Sequence, residues 1–158
     1  MTYPNNSEIN RISVDFKLVY GGWIYFKITA GEDYYETQFS AVYDPIKSLK
    51  KWLEALTIEP YMCGFQYDNE GEEIIWSFIQ IAQNTGIFCV AKHNLDIKND
   101  IYIVSYADRK QVVRNIYLSF WNFFKSEQYK SEEWENEYLG DNPELFQSNI
   151  VETYLTNG

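Results

Sequence analysis

Basic side chains are in short supply. The chain has 13 lysines and arginines against 23 aspartates and glutamates over 158 residues, a formal charge of −10. Phosphate backbones are bound through concentrated Lys and Arg, so this balance argues against a nucleic-acid binder. Histidine is scarcer still. His93 stands alone, which excludes a multi-histidine metal centre and would force any Ser-His-Asp or Cys-His arrangement through that one residue. Two cysteines, Cys63 and Cys89, lie far apart, each inside a predicted strand. They read as buried thiols in a reducing compartment rather than as a disulfide. No apolar run approaches the roughly 18 residues needed to span a bilayer, and Met1 to Asn6 lacks the basic start and apolar stretch of a signal peptide. A cytoplasmic protein is the expectation. Glycine-rich phosphate loops and nucleophile elbows are missing too, since Gly21-Gly22 and Gly140 read as turn glycines. The chain is therefore expected not to be an enzyme and to hold no cofactor and no metal.

What is abundant is aromatic. Fourteen Tyr, 10 Phe and 5 Trp carry enough apolar area for one sizeable core and mark the chain as ordered. A single domain over 1–158 is expected, with its core at about 12–126 and an acidic helical segment at 127–158. The acidity is concentrated there. Residues 1–126 hold 15 acidic and 12 basic side chains, a balance of −3, whereas 127–158 hold 8 acidic and 1 basic, a balance of −7.

The first half reads as strands. Ile12, Val14, Phe16, Leu18 and Tyr20 alternate with polar residues, the period of a strand with one buried face. Gly21-Gly22 supplies a tight turn, Trp23 to Ala30 returns, and a third strand covers about Tyr34 to Tyr43. Asp44-Pro45 opens a helix over 45–57 whose Ile46, Leu49, Trp52, Leu53 and Leu56 fall on one side. Four more strands follow at about Tyr61 to Tyr67, Glu73 to Ile81, Gly86 to Lys92 and Ile101 to Tyr106, with turns at Asp68 to Gly71 and Gln83 to Gly86. Asp108 caps a long helix, Arg109 to Ser126, with a wide aromatic face. Ser131 caps a short one, Glu132 to Tyr138, and Asn142-Pro143 begins the last, Glu144 to about Tyr154. The fold class is α+β: about seven mainly antiparallel strands in β-β-β-α-β-β-β-β-α-α-α order, in one sheet or two curved halves, with helices packed on one face.

This order of elements resembles a known group. The Tyr43-Asp44-Pro45 step into a helix with Leu49, Trp52 and Leu53, the acidic turn, and a strand with Glu73 and Trp76 are similar to small bacterial domains of unknown function. Many of those are immunity proteins of polymorphic or contact-dependent toxin systems. The resemblance spans about residues 12–138 and rests on pattern, so it implies a protein-binding role and carries over no functional residue.

Candidate chemistry is thin. His93, Asp96 and Asp100 offer metal ligands, yet a turn between strands uses the same residues for solubility and local hydrogen bonds. Asp68-Asn69-Glu70-Gly71-Glu72-Glu73 has the composition of part of a calcium loop but lacks its distal Glu, and reads as a hairpin turn. The segment Ser131 to Tyr138 is more informative. It sets Trp134 and Tyr138 on one helical face among Glu132, Glu133, Glu135 and Glu137. Aromatic anchors inside an acidic rim suit a basic protein surface, because rings supply desolvated contact while charges steer association. Alternatively, the two rings cover the aromatic face of the preceding helix.

Three functions stay open at this point. One is a non-catalytic immunity protein that binds a cognate, basic toxin through Glu132, Glu133, Trp134, Glu135, Glu137 and Tyr138. A second is a regulatory domain with an aromatic-lined pocket for a small molecule or peptide. The third, a homo-oligomeric subunit, requires a large exposed apolar patch.

Overall fold

Alternation of apolar and polar residues builds two antiparallel sheets, seen in a computed structural model that describes residues 8–58, 62–93, 100–134 and 138–157. The first holds β1 (Ile12–Tyr20), β2 (Trp23–Ala30) and β3 (Asp33–Ser40) in the order β1-β2-β3. Gly21 and Gly22 link β1 to β2 with φ of 59° and 84°, the positive values a primed two-residue turn needs and a side chain would resist. Ile12, Val14, Ile24, Phe26, Ile28, Thr37 and Phe39 point inward and are buried.

The alternation predicted for β1 fails after Phe16. A register shift between Phe16 and Leu18 inserts one residue and reverses the facing, as a bulge does. Val19 is consequently buried, while Leu18 and Tyr20, expected inside, stand 52% and 66% exposed. The third strand also ends sooner than expected. It stops at Ser40, whose Oγ accepts from the Val42 amide at 3.1 Å and turns the chain away.

The second sheet is β4 (Met62–Asp68), β5 (Glu73–Gln80), β6 (Thr85–Lys92) and β7 (Ile101–Asp108), all antiparallel and paired in chain order. Tyr61, expected in β4, lies outside the described residues. Gly86, the second residue of β6, lies beneath a ring: a Cβ there would stand 2.4 Å from Phe78 Cζ and 2.5 Å from the Ile79 carbonyl oxygen. Only glycine admits that approach.

The expected seven strands and α+β class are present, divided three and four, and the core lies where the inner faces of both sheets meet the helices. Phe26 lies 6.0 Å from Trp76, Phe39 lies 5.6 Å from Phe120, and Phe65 lies 5.1 Å from Trp76, centroid to centroid. Most of these pairs are edge-on or tilted, the arrangement the ring quadrupole favours. A polar seam crosses between the sheets. The Tyr67 hydroxyl, buried, is hydrogen-bonded to Thr37 Oγ1 at 2.8 Å and accepts from Trp76 Nε1 at 3.3 Å.

Helix α1 (Ile46–Leu56) buries Ile46, Leu49, Trp52, Leu53 and Leu56 and runs beside β4. The helix starts one residue later than expected, with Pro45 as the cap residue rather than the first helical one; Asp44, just ahead of it, still accepts from the Ile46 amide through Oδ1 at 2.9 Å. Helix α2 (Arg109–Lys125) packs on β1 and touches β7, with the Asp108 side chain accepting from the Gln111 amide. No helix among the described residues is long and apolar enough to cross a membrane.

Two expectations for the last segment change. The short helix is only α3 (Ser131–Trp134), with residues 135–137 outside the described set and Tyr138 in a bend. The final helix is broken into a 3-10 turn, Pro143–Phe146, and α4 (Asn149–Thr156). Ser148 causes the break. Buried, it caps α4 by accepting from the Val151 amide, donates to Glu54 Oε2 at 2.7 Å and gives its own amide to the Tyr117 hydroxyl at 3.0 Å. Tyr117 in turn donates to Glu152 Oε2 at 2.9 Å. A serine satisfied this way is worth more as a cap than in mid-helix.

Candidate functional site, an acidic cleft at the end of the first sheet

Four chain segments enclose a cleft of about 410 Å3: the β1–β2 turn with Gly21 and Gly22, Ala41 and Val42 after β3, Glu70 in the β4–β5 turn, and Glu132 to Trp134 of α3. The hairpin tip and α3 are tied together. The Gly22 amide donates to the Glu133 carbonyl at 2.6 Å and the Gly21 amide to Glu133 Oε2 at 3.1 Å. The Ala41 amide donates to the Gly22 carbonyl at 2.8 Å. Backbone of β-hairpin and helix thus fixes one wall.

Glu70 joins the lining through an uncommon backbone. Its φ is 67°, a left-handed conformation that costs a side-chain-bearing residue about 1 to 2 kcal/mol. Asp68 Oδ1 holds the turn by accepting from the Glu70 and Gly71 amides at 2.8 and 3.2 Å, and Asn69 Oδ1 accepts from the Glu72 amide. The acidic turn is therefore a hairpin turn whose side chains serve its own backbone, as expected. Glu70 itself points the other way, and Ser40 Oγ donates to its Oε2 at 2.8 Å.

Three carboxylates, Glu70, Glu132 and Glu133, line one cleft, and none has a cation within ion-pair distance among the described residues. Unneutralised charge of one sign in a concave surface raises the local concentration of the opposite charge. Val42, 72% exposed, lines the cleft, and the exposed Tyr20 at 66% and Tyr43 at 53% adjoin its lining residues Gly21 and Val42 in the chain. Such an arrangement can bind a cationic group and press apolar surface around it.

The predicted residues divide. Glu132 is exposed and Glu133 half-buried in the cleft. Trp134, expected as an anchor for a partner, is fully buried in the core instead, because α3 lies against β1 and β2. Its Nε1 has no hydrogen-bond partner among the described residues. Tyr138 is half-buried with its hydroxyl donating to the Leu145 carbonyl at 2.9 Å. Glu135 and Glu137 lie outside the described residues. Glu70, Tyr20 and Val42 were missed as site residues; Glu70 is distant in sequence, and Tyr20 was assigned to the buried face by an alternation that ignores the bulge.

Nearby, burial raises the Asp44 carboxyl above the usual carboxylate range, partly offset by the Ile46 amide. The Tyr129 hydroxyl is pushed up to about 12 by burial, then by Asp44 and Asp141. His93 is exposed at the end of β6, with its amide bonded to the Glu73 carbonyl, and Asp96 lies outside the described residues. Both cysteines are free and half-buried rather than fully buried, and burial raises both thiols.

The fold and cleft define a two-sheet α+β protein with an acidic, partly apolar recess. Comparison with protein-family models, with curated proteins and with solved structures returns no match.

Proposed function

We propose that this chain is a non-catalytic, cytoplasmic protein-binding domain, an immunity protein that neutralises a basic toxin by receiving a Lys- or Arg-bearing surface at the acidic cleft. The observation that supports it is the convergence of Glu70, Glu132 and Glu133 on one recess with no cation beside them. Tyr20, Val42 and Tyr43 take the anchoring role that the sequence assigned to Trp134. Charges set the rate of encounter, and the exposed rings and valine hold the complex once water is expelled. The small-molecule reading is less well supported, since the cleft is walled by glutamates and turn backbone and its one aromatic lining residue is Trp134.

The test is recovery, from the cells that make the chain, of a basic protein whose toxicity it suppresses, followed by stopped-flow association. Changing Glu70, Glu132 and Glu133 together to Gln keeps an acceptor oxygen for Ser40 and Gly21 and removes the charge. Association with that toxin should slow by about tenfold or more at low ionic strength, and the difference should shrink as salt rises. Unchanged association at low salt overturns the reading.

A further inference from the structure

An antiparallel sheet with one buried face normally turns polar residues to water on the other, and the second sheet does not. Its inward residues include Phe65, Tyr67, Ile74, Trp76, Phe78, Phe88, Val90 and Ile103, all buried. Following the register outward gives the cross-strand rows Gly64–Ser77–Cys89–Val104, Gln66–Ile75–Ala91–Ile101 and, from β5 to β7, Ile79–Ile87–Tyr106. No charged residue stands in these rows. Val104 and Ile101 are 54% and 57% exposed and their neighbours are partly exposed. Charged residues return only at the ends, with the pair Asp68 and Glu73 at one and Asp108 opposite Thr85 at the other. The result is an apolar field with a polar rim, the anatomy of a protein interface.

We infer that this outer face of β4 to β7 is a homodimer interface, covered in solution by the same face of a second copy. Charge decides the occupant. Two copies of a chain at −10 repel wherever their acidic surfaces meet, and a face free of charge is where they approach without that cost. A basic partner gains nothing there, whereas a two-fold contact needs only self-complementarity. Shape agrees. A Cβ added at Gly64 would meet Ile75 Cδ1 at 3.4 Å, so the isoleucine leans over the glycine and levels the surface. Beside Ile87, Val104 and Tyr106 lies a shallow hollow of about 180 Å3 able to take a side chain from the facing sheet, which would stack about 10 Å away.

Area sets the strength. Four strands at about 4.8 Å spacing and seven residues at about 3.4 Å give a face of roughly 19 by 24 Å. Two copies then cover about 900 Å2 in projection, and somewhat more as accessible surface, which is the low end for specific interfaces at about 1,000 Å2. The dimer is accordingly a weak one, dissociating in the micromolar range.

Sedimentation equilibrium on the whole chain, from low to high micromolar concentration, tests this. The apparent mass should rise from 18.8 kDa toward twice that value. Ile87→Lys should hold it at the monomer mass, as should Val104→Lys, a position too exposed for folding to depend on it. Thr29→Lys, on the outer face of the first sheet, should leave the dimer intact. In parallel, Cys89 should react with iodoacetamide more slowly as wild-type concentration rises, while Cys63, on the other side of its sheet, keeps its rate. A wild type that stays monomeric throughout, or a dimer that survives both Lys variants on β6 and β7, overturns the inference. Neither outcome bears on the acidic cleft, which is read by toxin association alone.

Discussion

The two sheets are alike on their inner faces and differ on their outer ones, where the first carries a charged row beside the uncharged rows Tyr20–Trp23–Ser40 and Leu18–Tyr25–Gln38. Across the first sheet the outward row Asp15–Lys27–Glu36 alternates in charge, Lys17 bonds Glu36, and Lys27 sits 5.6 Å over the Tyr34 ring. Across the second, the corresponding rows hold isoleucine, alanine, valine, glycine, cysteine, serine, glutamine and tyrosine, and no charge. Opposite charges directly across strands stabilise a sheet that faces water. An uncharged outer face contributes nothing of that kind and carries a hydration cost until it is covered. Polarity of the outer face therefore distinguishes a sheet finished by solvent from one finished by another surface.

The strongest challenge to this comparison is aimed at what the sheets share. Phe120 is fully buried and touches Phe16, Phe26 and Phe39 of the first sheet. Phe120→Ala should cost about 3 to 5 kcal/mol in denaturant melts, in a single transition if the two sheets unfold together. Two separated transitions would show that the sheets are independent units and that their outer faces are not two sides of one domain.

A smaller effect tests the seam. Tyr67→Phe removes the hydroxyl that serves both Thr37 and Trp76, leaving the buried Trp76 Nε1 without that acceptor while Thr37 keeps Tyr35, at a cost of about 1 to 3 kcal/mol. A loss well under that range would mean that water reaches the seam.

The smallest effect lies on the charged outer face itself. Lys17, by its hydrogen bond and then its charge, holds the Glu36 carboxyl below its ordinary value. A depressed folded pKa gives stability that is present above the unfolded value and is lost as pH falls through the folded one. The pair is exposed, so Glu36→Gln should lower the melting temperature only slightly, and the difference should vanish in high salt and at acid pH. A difference that persists under both conditions would show Glu36 acting by packing rather than charge.

Much of the fold was legible because it depends on local patterns. The alternation of β2, β5 and β6, the Gly21-Gly22 turn, the Asp108 cap and the apolar stripe of α1 each follow from residues a few positions apart, and each stands as read. The misreadings share a different cause. The bulge after Phe16, the break at Ser148 and the burial of Trp134 are settled by partners far along the chain: α2 across β1, Glu54 and Tyr117 around Ser148, the hairpin beneath α3. Of the candidate site, the acidity of α3 was visible, but its meeting with Glu70 was not, because about sixty residues separate them.

Sequence alone determined the seven strands and the first two helices in their order, the α+β class and the concentration of acid near the C-terminus, since periodicity, turn chemistry and composition are properties of neighbouring residues. Tertiary structure alone decided that seven strands divide into three and four, that Tyr20 and Val42 rather than Trp134 face outward beside the cleft, and that one sheet presents an uncharged outer face. Those outcomes turn on which surfaces are removed from water together, and burial is a property of the assembled chain.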